Sequence, residues 1–196
     1  MTATVVSWVT VDDGGVSSGN ATLSITAAEN TGRTQRTKTL SITPRVGTTI
    51  DVTLTQAAAN EFVRIDHVED TSGNPVTSIP PAGQTIVIVG YANGADLYAY
   101  ESNNTNYTSL GSDPRSSGVT SCDIEEADGT RHTAARMNSG EHGYGETAQY
   151  KFKITTVVSA SETDRTIDIT VESGNGVDEL RLEQSAAGEA PGTGRD

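Results

Sequence analysis

The sequence predicts an all-β protein made of two β-sandwich units in tandem, and a repeated strand pattern is the main reason. Arg36–Gln56 and Arg165–Gln184 both alternate apolar and polar residues on the two sides of a glycine-containing turn. Alternation with a period of two residues is typical of a β-hairpin with one buried face. No stretch has the strong 3.6-residue period of an amphipathic helix. The two hairpins therefore indicate two units of the same kind.

The alternation continues upstream of both hairpins. Ala21–Ala28 precedes the first hairpin as a predicted strand, and it aligns with a strand that begins at Tyr150. Each unit should therefore end in three antiparallel strands that superpose strand for strand. Arg36 and Arg165 recur at equivalent strand starts, which favours a structural role such as pairing with a carboxylate or with turn carbonyls. In this alignment we expect Leu23, Ile25 and Leu40 to be buried like Phe152, Ile154 and Ile167.

The two predicted units have unequal lengths. Residues 1–58 form the first unit, residues 59–186 form the second, and residues 187–196 form a polar tail that we expect to be flexible. The second unit opens with two further predicted strands, Phe62–Val68 and Gln84–Tyr91. The continuous apolar run of the latter is typical of a central strand. A long insertion at residues 102–146, rich in Asn, Ser, Gly and Asp, contains one more possible strand, Gly118–Glu125.

The composition argues against several classes of function. The chain has 26 acidic and 13 basic residues, a formal net charge of −13. Binding to nucleic acid or to an anionic membrane surface needs clustered Lys and Arg, so neither partner is expected. No apolar run approaches the roughly 18 residues of a membrane-spanning segment. Cys122 is the only cysteine, so no intrachain disulfide can form, and we expect its side chain to be small and buried.

No set of residues predicts catalysis. The three histidines lie in different segments, and no Ser or Cys has an activating context. We therefore expect no enzymatic activity and no cofactor. Two acidic segments could supply metal ligands: Asp66–Asp70, and a loop with Asp123, Glu125, Glu126 and Asp128. On a strand, neighbouring side chains point to opposite faces, and the loop lacks the spacing of a known calcium loop. A solvated strand end and an exposed acidic loop are favoured, and no metal site is assigned.

Tyrosines of the second unit cluster around the Asn-rich insertion. A sugar ring presents apolar C–H faces and hydroxyls, so flat aromatic rings beside amides and carboxylates can bind it. The same residues suit a protein–protein contact, where Tyr is enriched, or a purely structural role in a strand. A glycan platform requires the rings of Tyr98, Tyr107 and Tyr144 to be exposed on one side of the unit. The candidate ligand-binding residues are Tyr98, Tyr100, Asn104, Tyr107 and Tyr144.

The first unit resembles the BACON domain, a Bacteroidetes-associated module of secreted glycosidases and proteases and of phage proteins. The resemblance covers Val5–Gln56 and is carried, in order, by Trp8, Asn30, Gly32, Arg36 and Gln56. It implies an immunoglobulin-like β-sandwich that serves adhesion or spacing, with carbohydrate binding proposed for the family and no catalysis. The second unit keeps the Arg and the Gln of the pattern, but it lacks the Trp and the Asn-Thr-Gly turn.

Two functions follow as expectations. The first is a structural protein of a virion, a capsid or tail decoration of a Bacteroidetes phage, in contact with other protein subunits. Two features favour it: Met1 is followed directly by a strand-like segment and not by an export signal, and the chain has a single cysteine. The alternative is a carbohydrate-binding module of a secreted or surface Bacteroidetes protein, with host-surface or mucin glycans as ligands. The tyrosine cluster and the family resemblance favour this alternative.

The first unit is predicted to be incomplete. An immunoglobulin-like sandwich needs about seven strands, whereas about four are present before residue 58, and the N-terminal strands are lacking. An apolar face would then be open to water, and open strand edges invite pairing with another chain. We expect completion by the second unit or by a neighbouring subunit. The residues expected to be partly exposed are Leu23, Ile25, Ile42 and Val52.

Overall fold

The computed structural model describes residues 8–12, 22–103, 105–111, 121–134 and 144–186. Every regular element in these ranges is a β-strand, which confirms the predicted all-β class. The described residues contain no helix that is long and apolar enough to cross a membrane. The chain divides into two compact units, Met1–Ala59 and Asn60–Asp196. Residues 187–196, the predicted tail, lie outside the described ranges.

The first unit consists of two separate antiparallel strand pairs. Strand β1 (Val9–Asp12) pairs with β2 (Ser24–Ala27), and β3 (Arg36–Ile42) pairs with β4 (Ile50–Gln56). The β3–β4 hairpin has the register expected from its alternation, with the first residue of β3 opposite the last residue of β4. Within the described residues neither pair is joined by a further strand.

The second unit is a sandwich of two sheets. The larger sheet has the order β5–β6–β10–β8–β9 and the smaller sheet the order β12–β11–β7. Both sheets contribute to one apolar core, which confirms the immunoglobulin-like β-sandwich. The strands are β5 (Val63–Asp70), β6 (Gln84–Ala92), β7 (Tyr98–Glu101), β8 (Ser121–Glu125), β9 (Arg131–Ala134), β10 (Tyr150–Val158), β11 (Arg165–Ser173) and β12 (Gly176–Gln184).

Strand β6 is the central strand that its apolar run predicts, because it lies between β5 and β10. Ile86 and Ile88 of β6 have no exposed surface, and Phe152 on β10 has none either. Gly90 allows this packing. A Cβ at that position would lie 2.4 Å from the Phe152 ring and 2.4 Å from the carbonyl oxygen of Arg64.

The insertion at residues 102–146 contributes to the larger sheet. Strand β8 confirms the predicted strand in Gly118–Glu125, whereas β9, of sequence RHTA, was not predicted. Its four residues are too few and too polar for an alternation to be recognised. Strand β9 forms the edge of the sheet next to β8. Residues 112–120 and 135–143 lie outside the described ranges.

The two hairpins share a side-chain contact that we call the Arg–Gln clamp. In the first unit, Arg36 Nε donates a hydrogen bond of 2.8 Å to Gln56 Oε1. In the second unit, Arg165 Nε donates one of 2.7 Å to Gln184 Oε1. Each guanidinium also donates to a carbonyl of the preceding loop. The structural role expected for the two arginines is therefore confirmed, with turn carbonyls as partners.

An aromatic ring completes each clamp. The Arg36 guanidinium lies 4.4 Å from the centre of the Trp8 ring, and the Arg165 guanidinium lies 3.9 Å from the centre of the Tyr107 ring. Both aromatic residues accept the same backbone hydrogen bond, from Ala28 N in the first unit and from Ser159 N in the second. Trp8 therefore corresponds to Tyr107, and Ala28 corresponds to Ser159.

This correspondence corrects the sequence alignment upstream of the hairpins by two residues. Arg36 reaches back eight residues to Ala28, whereas Arg165 reaches back six residues to Ser159, so the connecting loop is shorter in the second unit. Because the shift is an even number, each strand still turns the same alternating residues toward the core. Ile25 therefore corresponds to Thr156.

The expected burial of the first unit is only partly observed. Leu40 is buried, with 7% of its surface exposed, but Leu23 is half-buried and Ile25 is 39% exposed. The expectation that these two residues are buried like their counterparts is wrong, because no strand in the described part of the first unit covers β2 as β6 covers β10. The partial exposure expected for an incomplete unit is confirmed, since Ile42 and Val52 are half-buried as well.

Candidate functional site

The outward surface of the β7–β11–β12 sheet is the candidate binding site, and we call it the outer face of the small sheet. Tyr98 and Tyr100 alternate along β7 with the buried residues Ala99 and Glu101. Because side chains alternate across a strand, both tyrosine rings lie on the outer face. Both are half-buried, so each ring keeps part of its surface in contact with solvent.

Acidic groups of β11 lie beside these rings. Tyr98 is directly opposite Glu172, and the hydroxyl of Tyr100 donates a hydrogen bond of 2.7 Å to Glu172 Oε1. This hydrogen bond, together with burial, raises the pKa of Tyr100 above its usual value. Further along the same face, Arg181 Nε donates a hydrogen bond of 2.7 Å to Asp168 Oδ1. The face thus combines aromatic rings with carboxylates and one guanidinium.

A groove of about 440 Å³ begins where β7 ends. Asn103 contributes an amide there, and this amide reaches the carbonyl oxygen of Thr166 at 3.3 Å. Amides, carboxylates and a guanidinium can exchange hydrogen bonds with a ligand rich in hydroxyl groups. The residues that line the groove are Ser102, Asn103, Asp168, Glu179, Leu180 and Arg181.

Tyr144 does not belong to this surface, so its assignment as a ligand-binding residue is corrected. Only 4% of its surface is exposed. Its ring centre lies 6.0 Å from that of Tyr150 in an edge-on arrangement and 4.8 Å from that of His132. Burial raises the pKa of its hydroxyl. The ring fills the core and has no free face for a ligand.

Tyr107 also lies away from the outer face. Its partner Arg165 shares a side of β11 with the fully buried Ile167, so the clamp is on the core side of the sheet. The guanidinium covers one face of the Tyr107 ring, and the ring packs against the core. The expected platform of Tyr98, Tyr107 and Tyr144 is therefore wrong. Asn104, the remaining candidate, lies outside the described residues.

Glu101 organises the loop after β7, and the sequence analysis did not select it. Its side chain is 1% exposed, and its carboxylate accepts four hydrogen bonds. The donors are the Thr105 hydroxyl at 2.6 Å, Tyr107 N at 2.9 Å, Thr108 N at 2.8 Å and the Thr108 hydroxyl at 3.0 Å. Glu101 thereby holds Tyr107 in position beneath Arg165. The signal in the sequence that could have identified Glu101 is its position: it is an acidic residue where the alternation of β7 predicts an inward-facing side chain.

The acidic segment Asp66–Asp70 forms ion pairs around a histidine. His67 contacts Asp66 at 2.8 Å and Glu69 at 3.3 Å, and Lys153 contacts Glu69 at 2.6 Å. A β-bulge between Ile65 and His67 interrupts the strand register next to these ion pairs. No group of three or more metal-ligating side chains occurs in the described ranges.

The ion pairs predict a measurable change in the titration of His67. Its pKa is raised above 6.5, first by the hydrogen bond to Asp66. The small contribution of protonated His67 to stability is therefore fully present below pH 6.5. It is lost as the pH rises through the pKa that His67 has in the folded protein. We expect an NMR titration of His67 to have its midpoint above 6.5 and Asp66→Asn to lower it. Asp128→Asn, distant in sequence, is the control and should leave the midpoint unchanged. An unshifted His67 titration in the unmodified protein contradicts this expectation.

The second acidic segment is only partly the loop that was expected, because Asp123 and Glu125 lie on β8 and only Glu126 and Asp128 lie in the turn that follows. Each carboxylate contacts a separate partner. Asp123 accepts a hydrogen bond from the Thr133 hydroxyl, and Asp128 accepts one from the backbone of Thr130. Glu125 pairs with Arg131 at 2.9 Å. Glu126 contacts His132, whose ring centre lies 4.8 Å from that of the buried Tyr144, so the turn after β8 is connected to the core.

Cys122 is a buried structural residue, as expected. It is 3% exposed on β8. Burial raises the pKa of its thiol to about 12. Since the thiolate is the reactive form of cysteine, this side chain is unreactive at neutral pH in the folded protein.

The first unit matches the sequence model of a known domain family. Residues 2–57 match the sequence model of the BACON family, described as a putative binding domain, N-terminal. This match confirms the resemblance of the first unit, and it ends before the second unit begins. No curated protein matches the sequence.

Among solved structures, the chain is similar to the crystal structure of domains 4 and 5 of the S-layer protein SbsC. The two share 12% sequence identity with a TM-score of 0.32, and the match covers 92% of this chain and 70% of that chain. At this TM-score the likeness carries no conclusion about function.

Proposed function

We propose that the protein is a non-catalytic binding protein whose second unit binds carbohydrate on the outer face of the small sheet. The observation that carries the proposal is the position of Tyr98 and Tyr100, side by side along β7 and next to the polar groove. An aromatic ring can stack on the apolar face of a sugar. The amide of Asn103 and the carboxylate of Asp168 can then bind its hydroxyl groups.

The charge of this face narrows the class of ligand. Asp168, Glu172 and Glu179 are acidic, whereas Arg181 is the one basic residue among the described residues that line the groove, and it is paired with Asp168. The whole chain carries a formal net charge of −13. Sialylated or sulfated glycans would be repelled, whereas the hydroxyl groups of a neutral sugar can donate hydrogen bonds to carboxylates. The proposed ligand is therefore a neutral glycan.

Replacing Tyr100 tests the proposal directly. We expect Tyr100→Ala to weaken binding of a neutral glycan at least tenfold, which corresponds to about 1.4 kcal/mol. The melting temperature should change little, because the ring is half-buried on the outer face. Binding is measured by isothermal titration calorimetry with a glycan selected on an array that contains both neutral and anionic glycans.

Tyr107→Ala is the matched control. Its ring lies against the core under Arg165, so this variant should have a lower melting temperature and an unchanged affinity. Loss of affinity in Tyr107→Ala with none in Tyr100→Ala would place the site elsewhere. An array on which no neutral glycan binds the intact protein would overturn the proposal.

A second candidate function is a structural subunit of a virion, supported by strand edges of the first unit that have no partner among the described residues. The subunit would bind other proteins of the particle through the first unit, and the virion would belong to a phage of a Bacteroidetes host. Alternatively, the protein is a secreted or surface protein of such a bacterium and binds glycans there. Mass spectrometry of purified phage particles and of the bacterial surface fraction distinguishes the two, since the protein should be enriched in only one.

A further inference from the structure

We propose that the outer face of the small sheet binds an internal segment of a linear, neutral glycan whose sugars are joined through equatorial bonds. The glycan chain runs parallel to β11 and places consecutive sugar units on consecutive parts of the face. This inference rests on the proposed function and goes further, because it assigns the length, the direction and the linkage of the ligand. It follows from the register of the three strands.

The register divides the outer face into three rows that lie across the strands. Directly opposite residues of antiparallel strands have their side chains on the same face of the sheet, so each row is a set of neighbouring side chains. At the end of β7 the row continues into the loop, where the backbone nitrogen of Ser102 donates a hydrogen bond of 3.0 Å to the carbonyl oxygen of Asp168. The first row is Tyr98, Glu172 and Val177, the second is Tyr100, Thr170 and Glu179, and the third is Ser102, Asp168 and Arg181.

The distance between the rows sets the length of the ligand. Neighbouring rows are two residues apart along β11, which corresponds to about 7 Å, so the first and third rows are about 13 Å apart. One pyranose ring covers one row, whereas three linked rings reach from Tyr98 to Asp168. A single terminal sugar would therefore leave two of the three rows without a contact. The face fits a chain of three sugar units that can continue in both directions.

The first two rows determine the linkage. Tyr98 and Tyr100 are alternate residues of one strand, so their rings lie on the same side of the sheet. Val177, which is 57% exposed, adds apolar surface to the first row. Two consecutive sugars must therefore present apolar C–H faces to the same side. Equatorial linkages and equatorial hydroxyl groups give an extended chain with apolar faces on both sides of each ring, whereas an axial linkage curves the chain away from the second ring.

The third row is polar and binds the hydroxyl groups of the third sugar. Arg181 donates to Asp168 through Nε at 2.7 Å and through Nη2 at 3.4 Å. A guanidinium has five N–H donors, so this pair leaves Arg181 with further donors for a sugar. Asn103 lines the groove beside the pair and contributes an amide. Two rows for stacking and one row for hydrogen bonds give the site two chemically different ends.

A length series of cello-oligosaccharides, measured by isothermal titration calorimetry on the intact protein, tests the inference. We expect cellotriose to bind at least tenfold more tightly than cellobiose, because the third sugar reaches a further row. Cellotetraose and cellohexaose should gain little beyond cellotriose, since three rows are available. Maltotriose has the same composition as cellotriose but an axial linkage, and it should bind at least tenfold more weakly.

Single variants identify the rows that each ligand covers. Tyr100→Ala changes the middle row and should weaken both cellobiose and cellotriose. Tyr98→Ala and Asn103→Ala change the two ends of the site, so both should weaken cellotriose. Cellobiose covers two rows and should respond to only one of these two end variants. Val157→Ala is the control, since Val157 is 51% exposed on β10 of the larger sheet, and it should leave both affinities unchanged.

The results separate failure of the inference from failure of the proposed function. If no neutral glycan binds the protein, the proposed function fails and the inference fails with it. If a neutral glycan binds but the cello-oligosaccharides do not, only the inference is overturned. The inference alone is also overturned if affinity does not depend on chain length, if maltotriose binds as tightly as cellotriose, or if cellobiose responds equally to Tyr98→Ala and Asn103→Ala.

Discussion

Changing Glu101 to glutamine is expected to lower the free energy of unfolding of the second unit by about 2–4 kcal/mol. The carboxylate is 1% exposed and uses both oxygens to accept hydrogen bonds from the loop after β7. Glutamine has the same shape, but its amide nitrogen is a donor. It would face either Tyr107 N or Thr108 N and leave that group without an acceptor. A buried donor without a partner loses the hydrogen bond and keeps the cost of desolvation.

Glu172→Gln is the control for this prediction. Glu172 is half-buried on the outer face and accepts a hydrogen bond from the Tyr100 hydroxyl, which a glutamine oxygen can also accept. We expect a change within about 0.5 kcal/mol. Stability is measured by hydrogen exchange of the slowest amides of β10, so that the second unit is followed by itself. Equal stabilities of the two variants would contradict the role assigned to Glu101.

Changing Gln184 to leucine should also cost about 2–4 kcal/mol of the stability of the second unit. The Gln184 amide is 1% exposed, accepts a hydrogen bond from Arg165, and donates to the carbonyl oxygens of Pro80 and Ser159. Leucine has a similar volume, so the packing is retained while three polar partners lose their contacts. The expected loss is therefore a loss of hydrogen bonds and not of apolar burial.

The repeat supplies the matched variant for this measurement. Gln56→Leu removes the same clamp from the first unit, but Gln56 is only half-buried and donates to one carbonyl oxygen, that of Ala28. Its cost should be about 1 kcal/mol, measured by hydrogen exchange in β3. In the second unit, Arg165→Ala combined with Gln184→Leu should cost less than the sum of the single changes, because the two residues form one network. Strict additivity would show that the clamp does not act as a unit.

Much of the fold is predictable because alternation depends only on the order of apolar and polar residues. The pattern identified both hairpins, and the run at Gln84–Tyr91 identified the central strand. The clamp partners Arg36 and Gln56 were visible as repeated residues, although their contact was not. Loop length limited the prediction. The loop ahead of Arg165 is two residues shorter than the loop ahead of Arg36, so the alignment of the preceding strands was wrong by two residues. Because side chains alternate, the same residues still face the core.

The binding site was less predictable, because it depends on which side of a sheet each side chain faces and on contacts distant in sequence. The outward direction of Tyr98 and Tyr100 can be predicted from the alternation along one strand. Tyr107 and Tyr144 lie in irregular segments, where no period indicates a direction, and their chemical type alone suggested a surface role. Asp168 and Arg181 become candidates only when the hairpin register places them opposite each other on the outer face. That register could have been derived from the alternation and the turn.

The chain carries one tryptophan and one cysteine, and they lie in different units. Trp8 stacks on Arg36 of the first unit, so its fluorescence should respond when that unit loses its clamp. Cys122 is buried on β8, so a thiol reagent can reach it only when the second unit opens. The fluorescence of Trp8 and the labelling rate of Cys122 thus report independently on the two units. With them the opening of each half can be timed in the same sample, without introducing a probe into either.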